Sequence, residues 1–110
     1  MERFDIGHDV GNNANMQARL IYRNKKRLVS GAIVEEVVWK LPHPEPGRPH
    51  GYKYRLAYVR EGKRVVGCDN ERGKGDQRHR RGREERYRFI ALDRLLADFR
   101  ADVMREEDKT

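Results

Sequence analysis

The stretch from Val66 to His79 holds the residue types best suited to chemistry. It opens as an apolar strand and turns into a polar segment broken by glycines. Along it lie Asp69, Asn70, Lys74 between Gly73 and Gly75, Asp76 and His79. A lysine between two glycines offers a positive charge beside freely oriented backbone amides, and a phosphate needs both. Cleavage of RNA through its own 2′-hydroxyl, without a metal, needs three things. One group takes that proton, a second protonates the leaving 5′-oxygen, and cations meet the charge that develops on phosphorus. An imidazole can do either proton transfer near neutral pH, so His79 is a candidate base or acid, with Asp69 or Asp76 as its partner. Lys74, helped by Arg72 or Arg78, would hold the phosphate. Asn70 could bond a base edge, a ribose hydroxyl or its own loop. The competing reading is structural: Asp69-Asn70 closes a strand as an Asx turn, and the rest is a solvated connection. A metal site built from Asp69, Asp76 and His79 has no diagnostic spacing behind it, and no cofactor motif is present, so neither metal nor cofactor is expected.

These five candidate catalytic residues are flanked by basic ones. Lys53 and Arg55 alternate with tyrosines upstream, and the arginine-rich run Arg80-Arg81-Gly82-Arg83-Glu84-Glu85-Arg86-Tyr87-Arg88 follows directly. Arginine binds phosphate with two parallel hydrogen bonds. Lys53, Arg55, Arg72, Arg78, Arg80, Arg81 and Arg83 are therefore the expected nucleic-acid contacts, against the alternative of a solvated charge run.

Strands and one helix must position these groups. Gln17 to Asn24 alternates as a half-buried strand, which Arg27 to Val29 extends, and Ser30-Gly31 is a turn signal. Ala32 to Leu41 is apolar on both faces, as a central strand is. Four prolines between Pro42 and Pro49 enforce a stiff loop. Tyr52 to Arg60 puts Tyr52, Tyr54, Leu56 and Tyr58 on one face and Lys53, Arg55, Ala57 and Val59 on the other. Glu61-Gly62 has the length of a tight hairpin turn before Lys63 to Cys68. Without a bulge, Tyr54 faces Asp69 and Lys53 faces Asn70. Asn70 then emerges among the basic groups and Asp69 on the tyrosine side. Tyr87 and Phe89 could begin a last short strand. Leu92, Leu95, Leu96, Phe99 and Val103 repeat at helical spacing and need an apolar floor, which only the sheet supplies. The tyrosines read more readily as that floor than as a stacking platform. Asp93, Arg94, Asp98, Arg100 and Asp102 fill the other side of the helix, and Glu106 to Thr110 is expected to fray. The expected fold is α+β: an antiparallel sheet of four to five strands with one C-terminal helix packed on one face.

The totals agree with this. A chain of 110 residues makes one domain with one modest core. Residues 16–106 form that domain, residues 1–15 read as an N-terminal extension without periodicity, and residues 107–110 read as a tail. A net charge of +7, with 39% of residues charged, points to a polyanionic partner, RNA first among them. No long apolar run or basic amphipathic helix suggests a membrane. The first residues lack the apolar core of a secretory signal. Cys68 is the one cysteine, which excludes an internal disulfide and a multi-cysteine zinc site and fits a reducing cytoplasm. It reads as a small buried hydrophobe. His43 and His50, in the proline loop, read as surface groups.

One succession of residues carries a family likeness. Tyr52-Lys53-Tyr54-Arg55-Leu56-Ala57-Tyr58-Val59 is followed by Arg64-Val65-Val66-Gly67, then by Asp69-Asn70-Glu71-Arg72-Gly73-Lys74-Gly75-Asp76 and Arg78-His79. With Met16-Gln17-Ala18, Val38-Trp39-Lys40-Leu41-Pro42 and Tyr87-Arg88-Phe89 around it, this resembles the TumE family of toxins. The likeness runs from Met16 to about Arg105. It implies a small toxin of a two-gene toxin–antitoxin module, encoded beside a helix-turn-helix antitoxin, with ribonuclease-like toxicity. Two departures stand out. Cys68 replaces a usual aromatic residue, and Gln77-Arg78-His79 replaces a usual His-x-His, which leaves His79 as the single imidazole of that motif. The expected function is thus a toxin that acts on RNA as a metal-independent endoribonuclease. The alternatives are a non-catalytic nucleic-acid-binding module and an interaction protein whose basic surface serves an antitoxin alone.

Overall fold

In the computed structural model, residues 18–71 and 73–109 are described. Residues 1–17, and with them the whole N-terminal extension expected over residues 1–15 and the first residue of the strand expected from Gln17, lie outside that set, as do Arg72 and Thr110. Six strands form one antiparallel sheet in sequential order: β1 (Arg19–Arg27), β2 (Ile33–Lys40), β3 (Tyr52–Arg60), β4 (Lys63–Glu71), β5 (Gly75–Arg80) and β6 (Arg83–Arg86). One helix, α1 (Leu92–Asp108), follows. The α+β class and the single C-terminal helix are as expected. The sheet gains its extra strands from the polar segment, which forms β5, and from the arginine run, which forms β6. Tyr87 and Phe89 lie beyond β6 in extended chain, where Tyr87 N–H donates to the Asp76 carbonyl at 3.0 Å.

Two tight turns make the hairpins that matter. Glu61-Gly62 and Arg81-Gly82 each place both central residues at positive φ (52° and 79°; 49° and 82°). This primed turn matches the twist of the flanking strands. After the first turn the strands pair as Arg60–Lys63 and Val59–Arg64, but the next pair is Tyr58–Val66. Val65 is the extra residue of a bulge, and its carbonyl accepts a hydrogen bond from Arg81 N–H at 2.8 Å. The bulge has an evident benefit. It turns Val66 and Cys68 into the core and keeps Asp69 out of it.

It also corrects the unbulged register. Asp69 pairs with Arg55, on the face away from the helix, while Asn70 is carried to the tyrosine side and buried. The side chain of Asn70 then serves as backbone there. Its Oδ1 accepts from Tyr54 N–H at 3.1 Å and its Nδ2 donates to the Tyr52 carbonyl at 2.9 Å, continuing the ladder past the last paired residues.

The core lies between α1 and one sheet face. Val34, Val38, Tyr54, Leu56, Tyr58, Val66 and Cys68 meet Leu95, Phe99 and Val103. Tyr54 and Tyr58 are fully buried, so they are floor. Cys68 is buried as expected, and burial pushes its thiol up to about 12, which keeps it protonated and unreactive.

Part of the charged side of the helix is tied to the rest of the chain. Arg100 donates to both oxygens of buried Glu36 at 2.8 Å, Asp102 is buried, and Tyr87 OH donates to Asp98 at 2.6 Å. The helix also continues past Glu106: Tyr58 OH and Ser30 Oγ bond the Glu107 carboxylate at 2.5 and 2.7 Å. Among the described residues no helix is long and apolar enough to cross a membrane.

Candidate functional site

Because successive residues of a strand point to opposite faces, β4 and β5 divide the five candidate catalytic residues between two places. Asn70 pairs with Asp76 on the helix side, and Asp69 with Gln77 on the other.

On the helix side the groups are saturated. Asp76 Oδ1 accepts from Tyr54 OH at 2.5 Å, from His50 at 3.0 Å and from Asn70 Nδ2 at 3.4 Å. His50 Nδ1 accepts from Tyr52 N–H at 3.2 Å, so the imidazole proton sits on Nε2 and is donated to Asp76. The Phe89 ring stacks on His50 with centroids 3.8 Å apart. Arg48, also from the proline loop, donates to the Asn70 carbonyl at 2.8 Å. Burial, then the bond to Asp76, push the Tyr54 phenol far above its ordinary value, so it serves only as a donor. His50 is thus a half-buried clamp between loop and sheet rather than the surface group expected of it. Gly47 tightens the same junction at φ 83°: a Cβ there would lie 2.9 Å from the Gly73 backbone nitrogen.

On the other face Asp69, His79, Lys74 and Gln77 line one open cleft of about 250 Å3, together with Arg64, Glu71 and Glu84. His79 Nε2 stands 3.4 Å from Glu84 Oε2 and 3.8 Å from Asp69 Oδ2. Arg64 folds across Gly67 to bond Asp69 at 3.1 Å. A side chain at Gly67 would meet that arginine at 3.0 Å, so the bare backbone provides its path. Lys74 is exposed, with Glu71 at 3.9 Å. Imidazole, carboxylates, guanidinium and ammonium thus share a solvent-open cleft. That set can move protons, and Arg64 and Lys74 are its cations against the carboxylates of Asp69, Glu71 and Glu84.

The expected nucleic-acid contacts are also divided. Arg55 is exposed on the cleft's face beside Asp69, and Lys53 lies over the Trp39 ring at 5.2 Å. Arg78 makes two bonds to Asp102 at 2.9 and 3.0 Å on the helix side. Arg81 grips Glu106 at 3.1 and 2.5 Å, and Arg80 is bonded to Glu85. Arg83 is exposed. Asp76 lies on the opposite face from Asp69 and His79. Among the described residues no three His, Cys, Asp or Glu side chains are grouped to hold a metal.

Sequence reasoning passed over Glu84 and Arg64 in the cleft and His50 and Arg48 in the buried network. Glu84 had a readable signal. Arg81-Gly82 is a two-residue turn, and counting outward from it sets Glu84 opposite His79, as observed.

The sequence model of a family described as Toxin TumE matches residues 8–107. The chain belongs to the TumE toxin family. The match begins upstream of Met16 and takes in the whole sheet and nearly all of α1. No curated protein and no solved structure matches the chain. As a TumE toxin it falls among the toxins of toxin–antitoxin modules, which implies an antitoxin as its partner.

Proposed function

We propose that this TumE toxin acts on RNA as a metal-independent endoribonuclease in the cytoplasm, and that the cleft around His79 is where it does so. The observation that carries this reading is the placement of His79 Nε2 between the Glu84 and Asp69 carboxylates, in an open cleft edged by Arg64 and Lys74. Glu84 and His79 divide the two proton transfers. One removes the 2′-hydroxyl proton as that oxygen attacks phosphorus, and the other protonates the departing 5′-oxygen. A 2′,3′-cyclic phosphate and a free 5′-hydroxyl result. Lys74 and Arg64 meet the charge on the phosphoryl oxygens, Asp69 orients Arg64 and His79, and exposed Arg55 tracks the backbone. Asn70 and Asp76 serve the site by fixing the hairpin that presents it. Position 77, where the resemblance expects a second histidine, lines the same cleft. In this reading the antitoxin is the helix-turn-helix protein that the resemblance implies.

Expression without the antitoxin should arrest growth and fragment RNA, and His79→Ala should abolish both. A fully toxic alanine variant would refute the assignment. RNA retention by the wild-type chain without turnover, weakening steeply with salt, would favour a binding module instead.

A further inference from the structure

A second cleft, of about 430 Å3, opens on the helix side of the β5–β6 hairpin, against the last turns of α1. Arg80, Arg81, Arg83, Arg105 and Lys109 line it. Its three carboxylates are unevenly placed: Glu85 is at the rim, whereas Asp102 and Glu106 are buried. Asp102 accepts from Arg78 and from Arg105 at 2.6 Å, and Glu106 from Arg81 and from Lys109 at 3.4 Å. Negative charge therefore lies on the floor, while Arg81, Arg105 and Lys109 expose more than half of their side-chain surface.

Three features point to an anion in this cleft. Five cations against three carboxylates leave a positive surplus. The guanidinium forks keep spare donors: Arg105 reaches Asp102 through one terminal nitrogen, and Arg81 reaches Glu106 through Nε and one terminal nitrogen. Finally, Arg80 and Arg83 stand directly opposite each other beside the turn, on one face of an edge hairpin. Arg80 already has the Glu85 carboxylate, with Asp102 at 3.9 Å, so it is exposed Arg83 that adds a further positive charge to this face.

We propose that this cleft binds phosphate groups of an RNA strand. Val66 is its one apolar lining residue, whereas the centre of a protein interface is apolar and rich in aromatics. With no aromatic platform in its wall, the cleft holds backbone rather than reading bases. The His79 cleft lies on the other face of the same hairpin. β6 is a four-residue edge strand, exposed throughout. A strand passing over that edge meets Arg86 on the cleavage side and Arg83 on this one. The proposal rests on the reading of the chain as RNA-directed, but its test does not require cleavage.

The test measures binding of a fully 2′-O-methylated oligoribonucleotide, which lacks the attacking hydroxyl. The variant is Arg83→Glu with Lys109→Gln, checked for an unchanged melting temperature. Arg83→Gln alone is the milder second variant. The double variant should bind about tenfold more weakly, and the slope of log affinity against log salt should fall by about one to two. Unchanged affinity and slope would overturn the proposal. So would binding of inorganic phosphate that the double variant loses while oligonucleotide binding stays intact, which marks a free-phosphate site. Loss of binding to a polyglutamate peptide alone would also overturn it, in favour of an acidic protein partner.

Discussion

The β4–β5 hairpin carries two sets of nearly the same residue types on its two faces, and their surroundings differ. On the helix side, Asp76 and His50 use their hydrogen-bonding capacity on Tyr54, Asn70 and the backbone. On the other side, His79 stands 3.4 Å from Glu84 and 3.8 Å from Asp69 in an open cleft. An aspartate and a histidine thus hold the fold on one face of the sheet, and an aspartate and a histidine line an open cleft on the other. Saturation of hydrogen bonds, rather than residue type, separates the two roles.

The contrast breaks most visibly at Asp76. Asp76→Ala removes the shared acceptor of Tyr54, His50 and Asn70 and leaves buried donors unpaired. It should cost about 3 kcal/mol or more of unfolding free energy, measured by urea denaturation. Asp69→Ala, on the exposed face, should cost less than about 1 kcal/mol.

Glu84→Gln sharpens the other half. RNA cleavage should fall by about 100-fold with the melting temperature unchanged, since the variant keeps the shape and loses the proton acceptor. Cleavage at the wild-type rate would remove Glu84 from the chemistry.

Acid should act on the fold through the helix pairs. Hydrogen bonds from Arg81, Tyr87 and Tyr58 hold Glu106, Asp98 and Glu107 below their ordinary values. Burial raises Glu36, but Arg100 and Tyr22 outweigh it, so it too is lowered. Carboxyls depressed in the folded state contribute stability that is complete above their unfolded values of 4.5 and 3.8, and it is lost as pH falls through the folded ones. Melting temperatures taken between about pH 7 and about pH 3 should therefore hold level and then drop at the acid end. Arg100→Ala should reduce stability at neutral pH and flatten that drop.

The smallest effect is expected at Gly67. Gly67→Ala pushes Arg64 off its path to Asp69. The arginine is flexible, so stability should change by less than about 1 kcal/mol, while cleavage falls several-fold. A crystal structure of the variant would show whether Arg64 has left Asp69.

Much of the fold was readable from period and punctuation. The Leu92-to-Val103 stripe, the alternation of Tyr52 to Tyr58 and the turns at Ser30-Gly31 and Glu61-Gly62 all appear as elements. β5 and β6 were hidden because a period of two is invisible where both faces are polar. In Gly75 to Arg80 charged Asp76, Arg78 and Arg80 alternate with Gly75, Gln77 and His79, and its pairing follows from the Arg81-Gly82 turn. The bulge at Val65 was hidden for another reason. In Val65-Val66 either valine satisfies an apolar pattern, and only the fit of Val66 and Cys68 under the helix decides between them. That one residue exchanged the faces of Asp69 and Asn70. The ion pairs of Arg78, Arg81 and Arg100 with α1 were out of reach as well, since their partners lie 24, 25 and 64 residues away in sequence.

The most direct test compares two histidines. His50→Gln and His79→Gln are each assayed for melting temperature and for the cleavage rate of a single RNA, corrected for the folded fraction. The account predicts that His50→Gln lowers the melting temperature and leaves the corrected rate near wild type. It predicts that His79→Gln keeps the melting temperature and loses cleavage by about 100-fold or more. Wild-type cleavage by His79→Gln, or loss of corrected cleavage in His50→Gln, would contradict it.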